Sequence, residues 1–260
     1  MLLALDVGNT QTVIGLFGEP EKGELLDHWR VSSVADRTSD EHALLIQEFL
    51  GFHGFSFEED VDGVAIASSV PRLTAALREM TQRYFGFSPV VIEPGVRTGM
   101  PILYENPKEV GADRIADAVA AYDLYGGPTI VVDFGTATTI EAITDRGEYM
   151  GGAIVPGIEI SLDALFERAA ALRRVELIEP RSVIGKNTIE SIQSGILYGQ
   201  AAMVDGMCRR FENEIGESTV VATGGLAELI APYSAAIHHH EPWLTLFGLR
   251  LIYLRNRPES

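Results

Sequence analysis

One short pattern occurs twice, and it constrains the fold more than any other feature: LLALDVGNTQTVIGLF over residues 2–17 and TIVVDFGTATTIEAI over residues 129–143. Each copy is an apolar β-rich run, an aspartate, a glycine two residues on, small hydroxyl or amide residues, and a second β-like run. Placing Asp6 on Asp133 also places Gly8 on Gly135 and Thr12 on Thr139, at a constant offset of 127 residues. The spacing predicts two related halves facing one site.

The residue types in the repeat point to polyphosphate. Glycine in a tight turn lets backbone approach a ligand and aim N–H groups at anionic oxygens. The hydroxyls of Thr10, Thr12, Thr136, Thr138 and Thr139 add donors. An aspartate at the end of each first strand would repel phosphate directly but can hold a hydrated Mg²⁺ that binds it. A single copy is also what an ordinary hairpin with a polar turn looks like. Two copies at equivalent positions favour the nucleotide reading.

Composition narrows the classes further. The 260 residues suit two domains, and a content of 46% hydrophobic against 22% charged residues can fill two cores, which excludes a disordered chain. A formal charge of −17 disfavours nucleic acid and anionic membranes as partners. The basic residues are arginine except for Lys22, Lys108 and Lys186, so an anionic substrate is expected to meet guanidinium groups or a metal. Cys208 is alone, which rules out an intrachain disulfide, and its apolar helical context predicts a buried thiol. Asp6 comes too early for a signal peptide, and no apolar run approaches the length of a membrane span, so a cytoplasmic location is expected.

Along the chain, the pattern predicts strands at Leu2–Leu5, Val13–Phe17 and Leu25–Val31. Thr38 and Glu41 form a capping box before an expected apolar face of Leu44, Leu45 and Phe49. A strand at Val64–Ala67, a helix at Leu73–Tyr84 and a strand at Pro89–Glu93 follow. The Pro- and Gly-rich stretch Pro94–Glu109 reads as a functional loop. A helix then carries Ile115, Ala118, Val119 and Tyr122 on one face. In the second half, strands at Ile130 and Ile140 precede MGGAIVPGIEIS, read either as a loop into a helix near Ser161 or as a second backbone wall around phosphate. A long helix at Thr188–Glu214, in which Gly195 and Gly199 suggest close helix packing, leads to a strand at Val220–Ala222 and a last helix at Leu246–Leu254.

Several familiar sites are excluded or open. No Walker loop is present, since Pro180 stands where its first glycine belongs and Asn187 replaces the Ser or Thr after Lys186. No G-x-G-x-x-G follows a strand. Thr223, Gly224 and Gly225 after a buried strand form either an adenine-admitting turn or a plain helix entry. His238, His239 and His240 are consecutive, a spacing that does not converge on one metal centre, and read as a solvated loop. Asp113 in VGADRIADAVAAY reads either as a helix N-cap or as a general base beside an arginine that grips a carboxylate.

Taken in order, DVGNTQT, YENPKEVGADR, DFGTATT, GGAIVPGI, GKNT and TGGL resemble the type III pantothenate kinases over nearly the whole chain. The resemblance implies an α/β fold of the acetate and sugar kinase/Hsp70/actin superfamily: two ribonuclease-H-like domains, residues 1–117 and 118–260, with the active site in the cleft between them. It implies ATP-dependent phosphorylation of pantothenate with Mg²⁺ and a monovalent cation, K⁺ or NH₄⁺, by a homodimer whose sites are completed across the interface. Residue by residue, Asp6 would organise Mg²⁺ through water, and Val7, Gly8, Asn9, Thr10, Gln11, Thr12 and Val13 would form the first phosphate turn. Thr136 would contact ATP and Asp133 would bind the monovalent cation. Asp113 would be the base, Arg114 the carboxylate grip, and Tyr104, Gly111, Ala112 and Thr188 would complete the pantothenate site. Two departures stand out: ALRRV at residues 171–175 where the family usually has a proline, and Phe247 in place of a typically polar residue, with an altered surface or dimer contact as its expected effect.

Three competing readings remain distinguishable. A sugar or acetate kinase of the same superfamily would take another acceptor, but Arg114 suits a carboxylate better than a neutral sugar. A regulatory helper of transcription would not need Asp6, Asp113 and Asp133 together. A filament-forming or chaperone ATPase would need insertions that 260 residues do not hold.

Overall fold

The computed structural model describes residues 1–168 and 175–257. These form two compact units, one of residues 1–120 with 244–257 and the other of residues 121–168 with 175–243. The first holds β1 (Leu2–Val7), β2 (Gln11–Phe17), β3 (Leu25–Ser32), α1 (Ser39–Gly51), α2 (Phe57–Asp60), β4 (Gly63–Ser68), α3 (Pro71–Met80) and β5 (Val90–Val91). Helix α4 (Ala112–Tyr125) crosses from the first unit into the second. The second holds β6 (Thr129–Phe134), β7 (Ala137–Ile143), β8 (Tyr149–Pro156), α5 (Ile158–Arg168), α6 (Thr188–Ile215), β9 (Thr219–Thr223), α7 (Ala227–Ile230) and β10 (His239–His240). Helix α8 (Leu244–Asn256) closes the described chain.

Each unit carries a five-stranded sheet among the described residues, in the orders β3-β2-β1-β4-β5 and β8-β7-β6-β9-β10. In both, the first three strands form an antiparallel meander and the fourth lies parallel to the first. The match extends to irregularities: the ladder slips once at Leu16/Phe17 against β3 and once at Ala142/Ile143 against β8. The burial patterns of β1 and β6 are identical, four buried residues, a half-buried aspartate and one more buried residue. A first strand buried on both faces explains why LLALDV and TIVVDF read as unbroken apolar runs.

Helix α1 begins as its capping box predicts. The Thr38 amide donates to Glu41 Oε2 at 2.8 Å, and the Glu41 amide donates to the Thr38 hydroxyl at 3.3 Å. Its buried face, however, is His42, Ala43, Ile46 and Leu50, while Leu44 is 69% exposed and Leu45 and Phe49 are half-buried. The expected face was one step off because the run HALLI supplies apolar residues all round and only packing selects among them. Helix α3 stops at Met80, and a π-type turn, Thr81–Phe85, continues it to the glycine at 86.

Three further expectations change. MGGAIVP is strand, not loop: β8 pairs along β7 from Tyr149 to Pro156. Among the described residues of this chain, Gly195 and Gly199 mark no close helix contact, since a Cβ at either would meet nothing within 4 Å. The buried face of α6 is instead Ile192, Leu197, Ala201, Val204 and Cys208, and burial pushes the Cys208 thiol up to about 12. Finally, the terminal helix α8 belongs to the first unit rather than to a continuous second half. Leu246, Leu249 and Ile252 of α8 are fully buried, each contributing about 1.5–3 kcal/mol. Phe247 stacks edge-on against Phe17 with ring centroids 5.8 Å apart, so the family departure there makes an internal contact. Of the other departure, residues 171–174 lie outside the described residues.

Candidate active site

The first turn joins β1 to β2. Asp6 pairs with Val13 on one side and Ala67 on the other, which places its half-buried carboxylate at the carboxyl end of the central strand. The Gly8 amide donates to the Gln11 carbonyl at 3.0 Å, closing the turn and leaving Asn9, Thr10 and Gln11 exposed. Val7 is buried and its carbonyl accepts from both the amide and the hydroxyl of Ser69, at 3.1 and 3.3 Å. Gln11 Oε1 accepts from Arg30 at 3.2 Å, and Val13, half-buried, faces Arg30 across the ladder.

The second turn joins β6 to β7 on the same plan, with the Gly135 amide donating to the Ala137 carbonyl at 3.1 Å. Asp133 pairs with Thr139 and Thr223, and Thr136 is exposed at the tip. The two turns differ in length. Asp6 faces Val13 seven residues on, whereas Asp133 faces Thr139 six residues on. The structural counterpart of Thr12 is therefore Thr138, not Thr139, and the constant offset breaks inside the turn. Thr12 is 3% exposed and shares a 2.9 Å hydrogen bond with the Ser33 hydroxyl. Thr138 is fully buried, so neither side chain lies among the exposed hydroxyls of the turns. Gly224, at φ 91°, lies against Asp133: a Cβ there would fall 2.2 Å from Oδ1 and 2.7 Å from the Phe134 backbone. This requirement gives TGGL a physical reason in the second unit.

The GADR motif sits at the start of α4. Asn106 caps a short 3₁₀ turn, Pro107–Glu109, accepting from the Lys108 amide at 3.3 Å and donating to Glu109 at 2.7 Å. Val110 is buried, and the Gly111 carbonyl accepts from the Ile115 amide at 3.1 Å. Asp113 lies inside the first helical turn rather than at the cap, with Oδ1 accepting from the Arg114 amide at 2.8 Å. The cap-only reading of Asp113 thus fails on position. Gly111, Ala112, Asp113 and Arg114 are all half-buried, and Tyr104 is half-buried two residues before Asn106.

Thr188 is the exposed first residue of α6, whose cap is Asn187, accepting from the Glu190 amide at 3.0 Å. Glu190 in turn accepts from Arg181 at 2.5 Å and from the Lys186 amide at 3.1 Å. His239 and His240 form the edge strand β10 rather than a loop, and His238 Nδ1 accepts from the Val220 amide at 2.9 Å.

Among the described residues no group of three or more His, Cys, Asp or Glu side chains forms a ready-made metal cage. Mg²⁺ in phosphoryl-transfer sites is commonly held by one or two carboxylates together with substrate phosphates and water. One carboxylate near a turn of amides, as at Asp6, fits that mode. Asp133 offers a hard oxygen donor of the kind a monovalent cation takes. Sequence reading missed Ser33 and Ser69 because their contacts to the turn are long-range; the adjacent hydroxyl pairs SS at 32–33 and 68–69 were the available signal.

The type III pantothenate kinase family model matches residues 2–210. A type III pantothenate kinase from Streptomyces griseus is 57% identical, covering 98% of each chain, and one from Moorella thermoacetica is 54% identical over 98% of this chain and all of its own length. Among solved structures, a Campylobacter jejuni protein described as a Baf family transcriptional activator gives a TM-score of 0.62 at 20% identity over 98% of both chains. The activator of 2-hydroxyisocaproyl-CoA dehydratase from Clostridium difficile, with bound ADPNP, gives 0.58 at 12% identity, over 96% and 92% of the two chains. At such identities the likeness speaks for the fold alone. The family match over most of the sequence and the full-length relatives above half identity establish that this chain belongs to the type III pantothenate kinase family.

Proposed function

We propose that this chain transfers the γ-phosphoryl group of ATP to the primary alcohol of pantothenate, giving 4′-phosphopantothenate and ADP in the first step of coenzyme A synthesis. The observation that carries the reading is the family match across the two strand–turn–strand units, each ending its first strand on an aspartate. The bound ADPNP of the C. difficile neighbour supports a nucleotide role for the shared fold.

The alcohol oxygen attacks the γ-phosphorus as the bond to the bridging oxygen of ADP breaks, and the alcohol proton passes to Asp113. In a loose transition state the alcohol needs little deprotonation before attack, so Asp113 acts mainly by aligning the hydroxyl and accepting its proton late. Arg114 pairs with the pantothenate carboxylate, a geometry a guanidinium fork suits. Tyr104, Gly111 and Ala112 shape the same pocket. The amides and exposed side chains between Val7 and Val13 are assigned to the ATP phosphates, and Thr136 to a contact with ATP. Asp6 would hold Mg²⁺ through water, where the ion would neutralise phosphate charge, and Asp133 would hold a monovalent cation such as K⁺ or NH₄⁺.

The enzyme acts as a homodimer in which Thr188 reaches the partner's pantothenate. Exposed Val183, Ile184 and Ile189 flank Thr188 in sequence, an apolar concentration that favours a protein interface there. Its expected location is the cytoplasm; no described helix is long and apolar enough to cross a membrane.

The test is ADP release from purified protein with Mg-ATP, with and without pantothenate, in K⁺ and then in Na⁺. Pantothenate-dependent release that is faster in K⁺ supports both the reaction and the cation role. Release independent of pantothenate, or none with ATP bound, contradicts the assigned acceptor.

A further inference from the structure

The third strand of each sheet runs past its turn and ends beside it. In the first unit β3 ends at Ser32, and the next residue, Ser33, meets the turn at two points. Its amide donates to the Thr10 carbonyl at 2.9 Å, and its hydroxyl shares a 2.9 Å hydrogen bond with the Thr12 hydroxyl. In the second unit β8 ends at Pro156, and the next residue, Gly157, meets the second turn by bare backbone. A Cβ on Gly157 would fall 2.2 Å from the Thr136 carbonyl oxygen and 2.7 Å from that of Gly135. The positions correspond: Gln11 faces Ser32 and Ala137 faces Pro156, so Ser33 and Gly157 each follow the strand residue opposite the start of the second strand. Each touches the tip threonine of its own turn, Thr10 or Thr136.

We propose that Ser33 and Gly157 are paired positioning residues that set the two phosphate turns from behind, Ser33 by hydrogen bonds and Gly157 by the absence of a side chain. The proposal rests on the reading that these turns hold ATP. A turn whose amides must all point at one polyanion gains from being fixed before the ligand arrives. Ser33 fixes the first turn at the carbonyl of Thr10 and the side chain of Thr12. Gly157 holds the second from behind, its carbonyl engaged by the Ser161 amide at 2.9 Å and hydroxyl at 2.8 Å at the start of α5.

Steady-state kinetics on the full chain, with binding of a fluorescent ADP analogue as a second readout, test the pair. Ser33→Ala loses the hydroxyl bond and is expected to raise KM for ATP and weaken ADP-analogue binding about three- to tenfold, leaving KM for pantothenate unchanged. Ser33→Thr keeps the hydroxyl and is expected to restore both values. Gly157→Ala must displace a carbonyl oxygen and is expected to weaken nucleotide binding by about tenfold or more, with far-ultraviolet circular dichroism unchanged. Wild-type nucleotide affinity in Ser33→Ala, or equal losses for both substrates that Ser33→Thr does not recover, overturns the proposal. Asp6→Asn separates the two levels: if it impairs nucleotide kinetics while Ser33→Ala does not, only the positioning role fails. If Asp6→Asn is also silent, the assignment of the turn to ATP fails with it.

Discussion

The two units carry the same sheet and close the same turn by different means. The first turn is one residue longer and is met by two serines, Ser33 through its amide on Thr10 and its hydroxyl on Thr12, and Ser69 through its amide and hydroxyl on Val7. The second is shorter and is backed by glycine, Gly157 behind Thr136 and Gly224 against Asp133. In both units backbone after the third strand comes close to the turn; in the second a Cβ would collide with the turn's carbonyls, so only glycine fits there. The two units share one sheet topology and differ in the length of the turn and in what lies against it. The first unit also holds the GADR helix start, to which the acceptor chemistry is assigned.

That division predicts unequal consequences for equivalent changes, the largest in the acceptor residues. Asp113→Asn is expected to lower kcat by a factor of about 10²–10⁴ while nucleotide affinity stays near the wild-type value, as measured by ADP release and ADP-analogue binding. Near-full turnover in this variant removes Asp113 from the base role.

Next are the residues that follow the fourth-strand partners of Asp6 and Asp133. Ala67 and Thr223 occupy matching places opposite Asp6 and Asp133, so Ser68 corresponds to Gly224. Gly224→Ser adds a Cβ at positive φ against a carboxylate and is expected to cost about 2–3 kcal/mol or more. Ser68→Gly is expected to cost under about 1 kcal/mol. Thermal melts of the two variants compare them directly, and equal losses would break the asymmetry.

Acid separates the units by a smaller margin. His42 on α1 is 5% exposed, and burial lowers its imidazole to about 4, with Arg37 adding to the shift and Glu41 opposing it. The unfolded chain takes up a proton near pH 6.5 that the folded chain refuses, so stability falls as pH drops from about 6.5 to about 4, by at most about 3 kcal/mol. His42→Leu is expected to flatten this part of the pH–stability curve, read from denaturant midpoints at pH 7 and pH 5. A curve unchanged by the substitution contradicts the assignment. The smallest effect is at the surface: His53 and Asp27 meet at 2.6 Å, and the contact holds the Asp27 carboxyl below its usual range, yet both groups are about a third exposed. Asp27→Asn is expected to cost under about 1 kcal/mol in the same assay.

Much of this architecture was legible in the sequence because it is local. An apolar run ending in D-x-G and followed by small polar residues specifies strand, turn and strand within about fifteen residues, and Thr38 with Glu41 announced α1 by a reciprocal pair four residues long. The difference in turn length was hidden because Thr12 and Thr139 align by residue type; only the pairing of Asp6 with Val13 and Asp133 with Thr139 reveals it. MGGAIVP looked like a loop because its glycines are permissive, and pairing with β7 overrode that local preference. The return of α8 to the first unit and the reach of Ser33 to Thr10 and Thr12 depend on long-range contacts that no periodicity encodes. In the candidate site, GADR was readable as a motif, but that Asp113 is not the helix cap needed the helix start at Ala112.

The most direct test of two matching turns with divided chemistry is pantothenate-dependent ADP release by Asp6→Asn and Asp133→Asn, titrated separately with Mg²⁺ and K⁺. The expected result is a Mg²⁺ requirement shifted upward in Asp6→Asn with K⁺ activation intact, and loss of K⁺ activation in Asp133→Asn with the Mg²⁺ curve intact. Identical responses of both variants to both ions, or wild-type behaviour in either, would contradict the division between the two units.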